Sequence, residues 1–234
     1  MRETPGASPA ELHVLRVFCA EDGEAGNPLG LFLDDPLVAP AVRQEVASRL
    51  GFSETVFFED VPQGRLKIFT PTRELPFAGH PLVGAAWLLR ECGEEPTVLR
   101  PPAGEVSVRF EGPLTWVRAR PEYSPPWDLL QLADASAVEE LEGPPRELGH
   151  VQAWAWEDEP EGRVRARVFA REYGVPEDPA TGSAAVVLCA HLGRELSVTQ
   201  GPTGRESAIH VRPVGHGWVE LGGRVVRDRH LGRG

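Results

Sequence analysis

Lys67-Ile68-Phe69-Thr70, Arg73-Glu74, Phe77-Ala78-Gly79-His80 and Gly84-Ala85-Ala86-Trp87-Leu88 follow one another in the first half of the chain. The second half returns the order as Arg167-Val168-Phe169-Ala170, Arg171-Glu172, Ala180-Thr181-Gly182-Ser183 and Ala184-Ala185-Val186-Val187-Leu188. Each passage reads as a strand, a loop, and the start of a helix made of small residues. Gly79 and Gly182 stand nearly half a chain apart in 234 residues. A solenoid repeats many short periods, so two long ones predict a duplicated pair of similar domains, 1–111 and 112–234. Small side chains on both helices predict that each is buried and surrounded by the strands of its own half.

Outward from this pair, His13–Phe18 and Leu29–Leu33 read as strands, joined through an acidic loop and stopped at Asp34-Asp35-Pro36. Ala39–Leu50 reads as a helix, with Val42, Val46 and Leu50 spaced by four and Gly51 at its stop. Strands follow over Glu54–Glu59 and Arg65–Thr70. A helix over Pro81–Cys92 comes next, with Pro81 near its first position and Gly93 at its end. Short strands are expected at Val98–Leu99, Val106–Phe110 and Leu114–Ala119. From Arg120 to Gly149 prolines break the pattern, leaving helical pieces over Trp127–Leu132 and Ala135–Leu141. Val151–Trp156 and Val164–Phe169 alternate as strands. The second small-residue helix starts at Ala180 or Thr181, and His210–Arg212, Trp218–Leu221 and Arg224–Val226 return to strand.

Composition excludes several classes of function. Thirty-five acidic residues against 24 basic ones give a formal charge of -11, whereas a nucleic-acid binder needs a basic face to displace counterions. The same balance argues against a polybasic membrane anchor, and no apolar stretch approaches the ~20 residues of a membrane span. Three scattered cysteines without CxxC spacing fit reduced thiols and a cytoplasmic location. Lys67 is the only lysine, so Schiff-base chemistry would have to run through it. No GxGxxG or Walker pattern opens a helix, so no nucleotide cofactor is expected. The histidines form no HExxH or His/Cys cluster, so no metal is expected either.

The remaining polar residues gather at the two helix starts. A helix N-terminus carries unpaired N–H groups and the positive end of a dipole, which suits a carboxylate. Two such ends could hold an anionic small molecule across a cleft, with Gly79 and Gly182 letting the backbone approach it. Glu54 stands among Phe52, Val56, Phe57 and Phe58, where desolvation raises a carboxyl pKa and suits it to acid/base work. From these residues alone the stronger reading is a capping or salt-bridged acid at a strand start, since structural acids also occupy such places. His80 at a helix start is either a neutral proton relay or a loop histidine. Asp178, just before Pro179, reads first as a cap for the second helix. Arg73-Glu74 and Arg171-Glu172 read as structural pairs, with Arg73 also able to steer a carboxylate.

Four segments together carry a resemblance: Asp22…Gly26-Asn27-Pro28, Ser53-Glu54-Thr55, Phe69-Thr70-Pro71-Thr72-Arg73-Glu74-Leu75-Pro76-Phe77-Ala78-Gly79-His80-Pro81, and Val175-Pro176-Glu177-Asp178-Pro179-Ala180-Thr181-Gly182-Ser183-Ala184. In this order they resemble the phenazine-biosynthesis PhzF-like isomerases, over most of the chain from about Val14 to Val226. The resemblance implies the α+β diaminopimelate-epimerase fold: two pseudo-symmetric halves, each a β-barrel-like sheet around a central helix, with the site between them. It implies Glu54 as the catalytic acid/base, His80 and Asp178 completing the polar site, and Gly79, Gly182 and Ser183 binding a substrate carboxylate. It further implies a cofactor-independent isomerase acting on a small carboxylated metabolite, and homodimers. Related epimerases and proline racemases place a cysteine at each helix start, where this chain has Ala78 and Thr181, so a two-thiol racemase is rejected. A non-catalytic small-acid-binding protein that keeps the isomerase fold is the alternative. The chain is shorter than is typical of the family, and the shortening falls within Arg120–Gly149.

Overall fold

The structure is a computed structural model that describes residues 11–33, 39–144, 149–171 and 175–228. The expected stop at Asp34-Asp35-Pro36 and the partner Glu172 lie outside the described residues. Fifteen strands among the described residues join into one continuous sheet, with four α-helices against it.

The first half opens with β1 (Leu12–Cys19) and β2 (Asn27–Phe32), an antiparallel pair. Helix α1 (Pro40–Leu50) then crosses over to β3 (Glu54–Asp60), which runs parallel to β2. Gly51 stops α1 in the left-handed conformation at φ 69°, as the sequence predicts. The face of α1 differs from the expected one. Arg43 and Ala47 are buried whereas Val42 is exposed, because Arg43 reaches Glu59 at 2.8 Å and lays its guanidinium against the Phe57 ring. β4 (Arg65–Phe69) and β5 (Glu74–Leu75) extend the sheet antiparallel before α2 (Gly79–Glu91). The helix starts at Gly79, two residues before the expected Pro81.

β6 (Val98–Leu99), β7 (Val106–Glu111) and β8 (Leu114–Ala119) form an antiparallel run. A bridge between Arg65 and Arg100 carries its far end back to β4. β15 (Val219–Arg227) pairs with β8 on one side and β1 on the other. The circuit around α2 is thereby closed. Of that helix only Trp87, Arg90 and Glu91 escape burial. Gly84 allows the close packing, since a Cβ there would lie 2.4 Å from the Leu29 side chain.

The second half repeats the order. β9 (Asp128–Gln131), α3 (Ala135–Glu139) and β10 (His150–Asp158) form a second strand-helix-strand crossover with a parallel pair. β11 (Arg163–Ala170), β12 (Val175–Asp178), α4 (Gly182–Leu192), β13 (Leu196–Gln200) and β14 (Ser207–Pro213) follow. β13 runs parallel to β11, matching the parallel bridge between Arg65 and Arg100 in the first half. Trp127–Leu132 is therefore not helical: its core is β9, held by its register against Val151–Trp154. The two tail strands expected around Gly222-Gly223 are one strand, β15. Its glycines are needed because a Cβ at 222 would meet the Trp116 ring and one at 223 the Phe18 ring, each at 2.4 Å. Phe18 itself sits in a bulge of β1 at φ 66°, an unusual conformation for a large side chain. The bulge places its ring in the core beside Gly182 and Gly223. Position 112 falls at the turn joining β7 to β8.

Candidate functional site

Glu54 is the first residue of β3, opposite Leu29 of the parallel β2. His80 is the second residue of α2. The sheet curled around the helix brings them together, with Glu54 Oε2 3.4 Å from His80 Nδ1. The His80 side chain is 5% exposed and that of Glu54 17%. Burial, reinforced by the charge of Asp178, pushes the Glu54 carboxyl up to about 8. Burial also drives the His80 imidazole down to about 3, against the opposing pull of the Pro28 carbonyl. His80 is therefore a neutral imidazole at ordinary pH. The direction matches the sequence expectation, although burial rather than the helix end is the main cause.

Asp178 comes from the other half, at the end of β12. Burial raises its carboxyl to about 6, and hydrogen bonds from Thr181, Asn27 and the Ala180 backbone limit the rise. Asn27 Nδ2 donates to Asp178 Oδ1 at 2.8 Å and to the Ala180 carbonyl at 2.9 Å. Asn27 Oδ1 accepts from the Ser53 hydroxyl at 2.9 Å. The Thr181 hydroxyl donates to Asp178 Oδ2 at 2.6 Å and accepts from Gln200 Nε2 at 2.9 Å. Gln200 also donates to the Asp178 carbonyl at 2.8 Å and accepts from the Thr181 N–H at 3.2 Å. Both amides are buried, and with donors and acceptors all engaged their orientation is fixed. Asp178 thus organises the loop leading into α4, and Thr181 occupies the N-cap position.

The starts of α2 and α4 face each other over Leu221 of β15. A Cβ on Gly79 would lie 2.4 Å from Leu221 Cδ2 and 3.8 Å from the Gly182 Cα; one on Gly182 would lie 2.7 Å from the same leucine atom. Both glycines thus make room for the Leu221 side chain where the two helix starts meet. Neither Ala78 nor Thr181 caps its helix with a side chain, so the first-turn N–H groups keep their capacity to bind an anion. Ser183, next in α4, accepts from the Trp127 indole N–H at 3.2 Å on Oγ, and its carbonyl accepts from the Ser124 hydroxyl at 3.3 Å.

All six residues expected from the sequence therefore lie around the facing helix starts and the β3 and β12 ends. Five further residues join them: Asn27, Ser53, Thr181, Gln200 and Trp127. Asn27 lies in the quoted Gly26-Asn27-Pro28 motif and was within reach of the sequence; Gln200 and Trp127 carry no local signal. Elsewhere the first of the two expected Arg-Glu pairs, Arg73-Glu74, is corrected, since Glu74 takes Lys67 at 2.9 Å. Cys19 and Cys189 are buried, and burial pushes their thiols up to about 11 and about 12, so neither supplies a thiolate. Among the described residues no group of three or more His, Cys, Asp or Glu is arranged to hold a metal ion. No helix among them is long and apolar enough to cross a membrane.

Comparison with known proteins agrees with this geometry. A profile of the PhzC-PhzF family, described as "Phenazine biosynthesis-like protein", matches residues 15–142 and 124–212. The trans-2,3-dihydro-3-hydroxyanthranilate isomerase of Pseudomonas aeruginosa is 30% identical over 256 residues, covering 87% of this chain and 90% of the relative. A PhzC/PhzF protein of Clostridium difficile superposes with a TM-score of 0.78 at 20% identity, over 94% of this chain and 97% of its own. A hydroxyproline epimerase from Agrobacterium vitis shares the fold more distantly, with a TM-score of 0.58 at 12% identity over 94% and 90% of the two chains. The sheets wrapped around central helices are thus the epimerase-like architecture, and the chain belongs to the phenazine biosynthesis-like PhzC-PhzF family of isomerases.

Proposed function

We propose that this protein catalyses a cofactor-independent proton shift on a small, conjugated carboxylic acid of the kind named for its relatives, trans-2,3-dihydro-3-hydroxyanthranilate. The observation that carries the reading is the buried Glu54–His80 pair at 3.4 Å, with Asp178 delivered beside it from the other half. The ionised Glu54 carboxylate takes a proton from carbon, and the electron pair moves along the conjugated system. The same carboxyl then returns the proton at a second carbon, so no atom or electron is gained or lost. A carboxyl raised to about 8 is suited to both strokes near neutral pH. His80, neutral and fixed, polarises the substrate without adding a charge. The Ser183 hydroxyl and the N–H groups at the starts of α2 and α4 hold the substrate carboxylate, and the N–H groups alone stabilise charge that develops during the shift. An acidic chain thereby binds an acid through local dipoles.

The repeated element order supports two duplicated units, the first running through β8 and so a few residues past the expected boundary between 111 and 112. The free cysteines support the cytoplasm as the working compartment.

The test is turnover of trans-2,3-dihydro-3-hydroxyanthranilate followed by absorbance and NMR. Glu54→Gln keeps the shape of the side chain and removes the base, and turnover should fall by about 10²–10⁴-fold with substrate binding retained. Undiminished turnover in that variant refutes the assignment. A wild-type protein that binds the acid and leaves it unchanged would instead be the binding protein that keeps the isomerase fold.

A further inference from the structure

The segment from Pro121 to Trp127 ties the starts of the two central helices together. The Tyr123 ring packs on Phe77, just before α2, at 5.2 Å between centroids, and on Trp218 at 6.2 Å. One residue on, the Ser124 hydroxyl donates to the Ser183 carbonyl. Trp127 then donates its indole N–H to Ser183 Oγ at 3.2 Å, while its ring meets His150 edge-on at 5.6 Å and 68°. This strap lies in the region where the chain is irregular and rich in proline.

The bond from Trp127 has a chemical consequence for Ser183. A serine hydroxyl has one hydrogen to give and two lone pairs to receive with. An indole N–H can only donate, so it occupies a lone pair and leaves the serine hydrogen free to be given. Among the described residues no hydrogen bond uses that hydrogen. The hydroxyl is therefore set to meet an acceptor. We infer that Trp127 is a positioning residue that fixes Ser183 as a donor, selecting ligands that present a carboxylate at the start of α4. This rests on the carboxylate site proposed above and names the residue that sets its preference.

The test uses 3-hydroxyanthranilate as a non-reacting acid and 2-aminophenol as a ring without the carboxyl, both titrated by calorimetry. Trp127→Phe keeps an aromatic ring against His150 and deletes the donor; Trp127→Leu, which also has no donor, is the second variant if phenylalanine disturbs folding. Binding of the acid should weaken about ten-fold, the usual worth of a hydrogen bond to a charged group, and binding of 2-aminophenol should not change. Ser183→Ala should lose the same factor, and the double variant no more than either single one. With trans-2,3-dihydro-3-hydroxyanthranilate, KM should rise by that factor while kcat holds, because the contact is made equally before and during reaction. Acid binding at the wild-type level in Trp127→Phe overturns the inference and leaves the proposed function standing. So do losses that multiply in the double variant. A wild-type protein that distinguishes neither ligand overturns the carboxylate site and this inference together.

Discussion

Glu54 holds a proton in the folded chain that it would release in water, and the difference is a debt that varies with pH. An ordinary glutamate ionises near 4.5, whereas burial and Asp178 hold this one to about 8. Below the lower value both folded and unfolded chains carry the proton, and the group costs nothing. As pH rises the unfolded chain releases the proton first, so stability falls until the folded pKa is passed. Glu54→Gln has no such titration. Its melting temperature should gain on that of the wild type between pH 5 and pH 9, by about 2–4 °C for each kcal/mol involved. Equal pH slopes in the two proteins would refute the buried-carboxyl account. Glu54 was legible in the sequence because its apolar neighbours are adjacent in the chain. Asn27 and Trp127 were hidden as partners because their bonds span 151 and 56 positions. No local pattern records such a pairing.

The two central helices were legible as elements because small residues and glycine starts recur in the same order. What fills the space between them was not. Leu221 reaches across from β15, so Gly79→Ala should destabilise the fold by about 1–3 kcal/mol through overpacking, measured by denaturant unfolding. Leu221→Ala should lose stability through its cavity, and the double variant should lose less than the sum, because each change makes room for the other. Strict additivity would mean that the helix starts do not meet over this side chain. Strand β9 escaped the sequence for a related reason. Trp127-Asp128-Leu129-Leu130-Gln131-Leu132 suits a helix on its own, and it is the parallel partner β10 that makes it extended. The Gly222-Gly223 pair read as a break for want of the two rings that occupy its faces.

Across the whole molecule, β15 belongs to both halves, pairing with β1 and β8 in one and with β14 in the other. The halves should therefore unfold as one unit. Gly222→Ala would drive a methyl into the buried Trp116 ring and should cost about 1–3 kcal/mol. The edge-to-face Trp154–Trp156 pair in the second half gives a separate near-ultraviolet signal. That signal and the far-ultraviolet one should shift to lower temperature together, and two separate transitions would refute the shared-strand account. The same strand sets an order of events on the ribosome. β1 and β8 emerge long before residues 219–227 are made, and until then their inner edges have no neighbour. The first barrel, though encoded early, closes only when nearly all of the described chain has been translated. Until that moment its two open edges are surfaces on which a nascent chain can mispair or a chaperone can act.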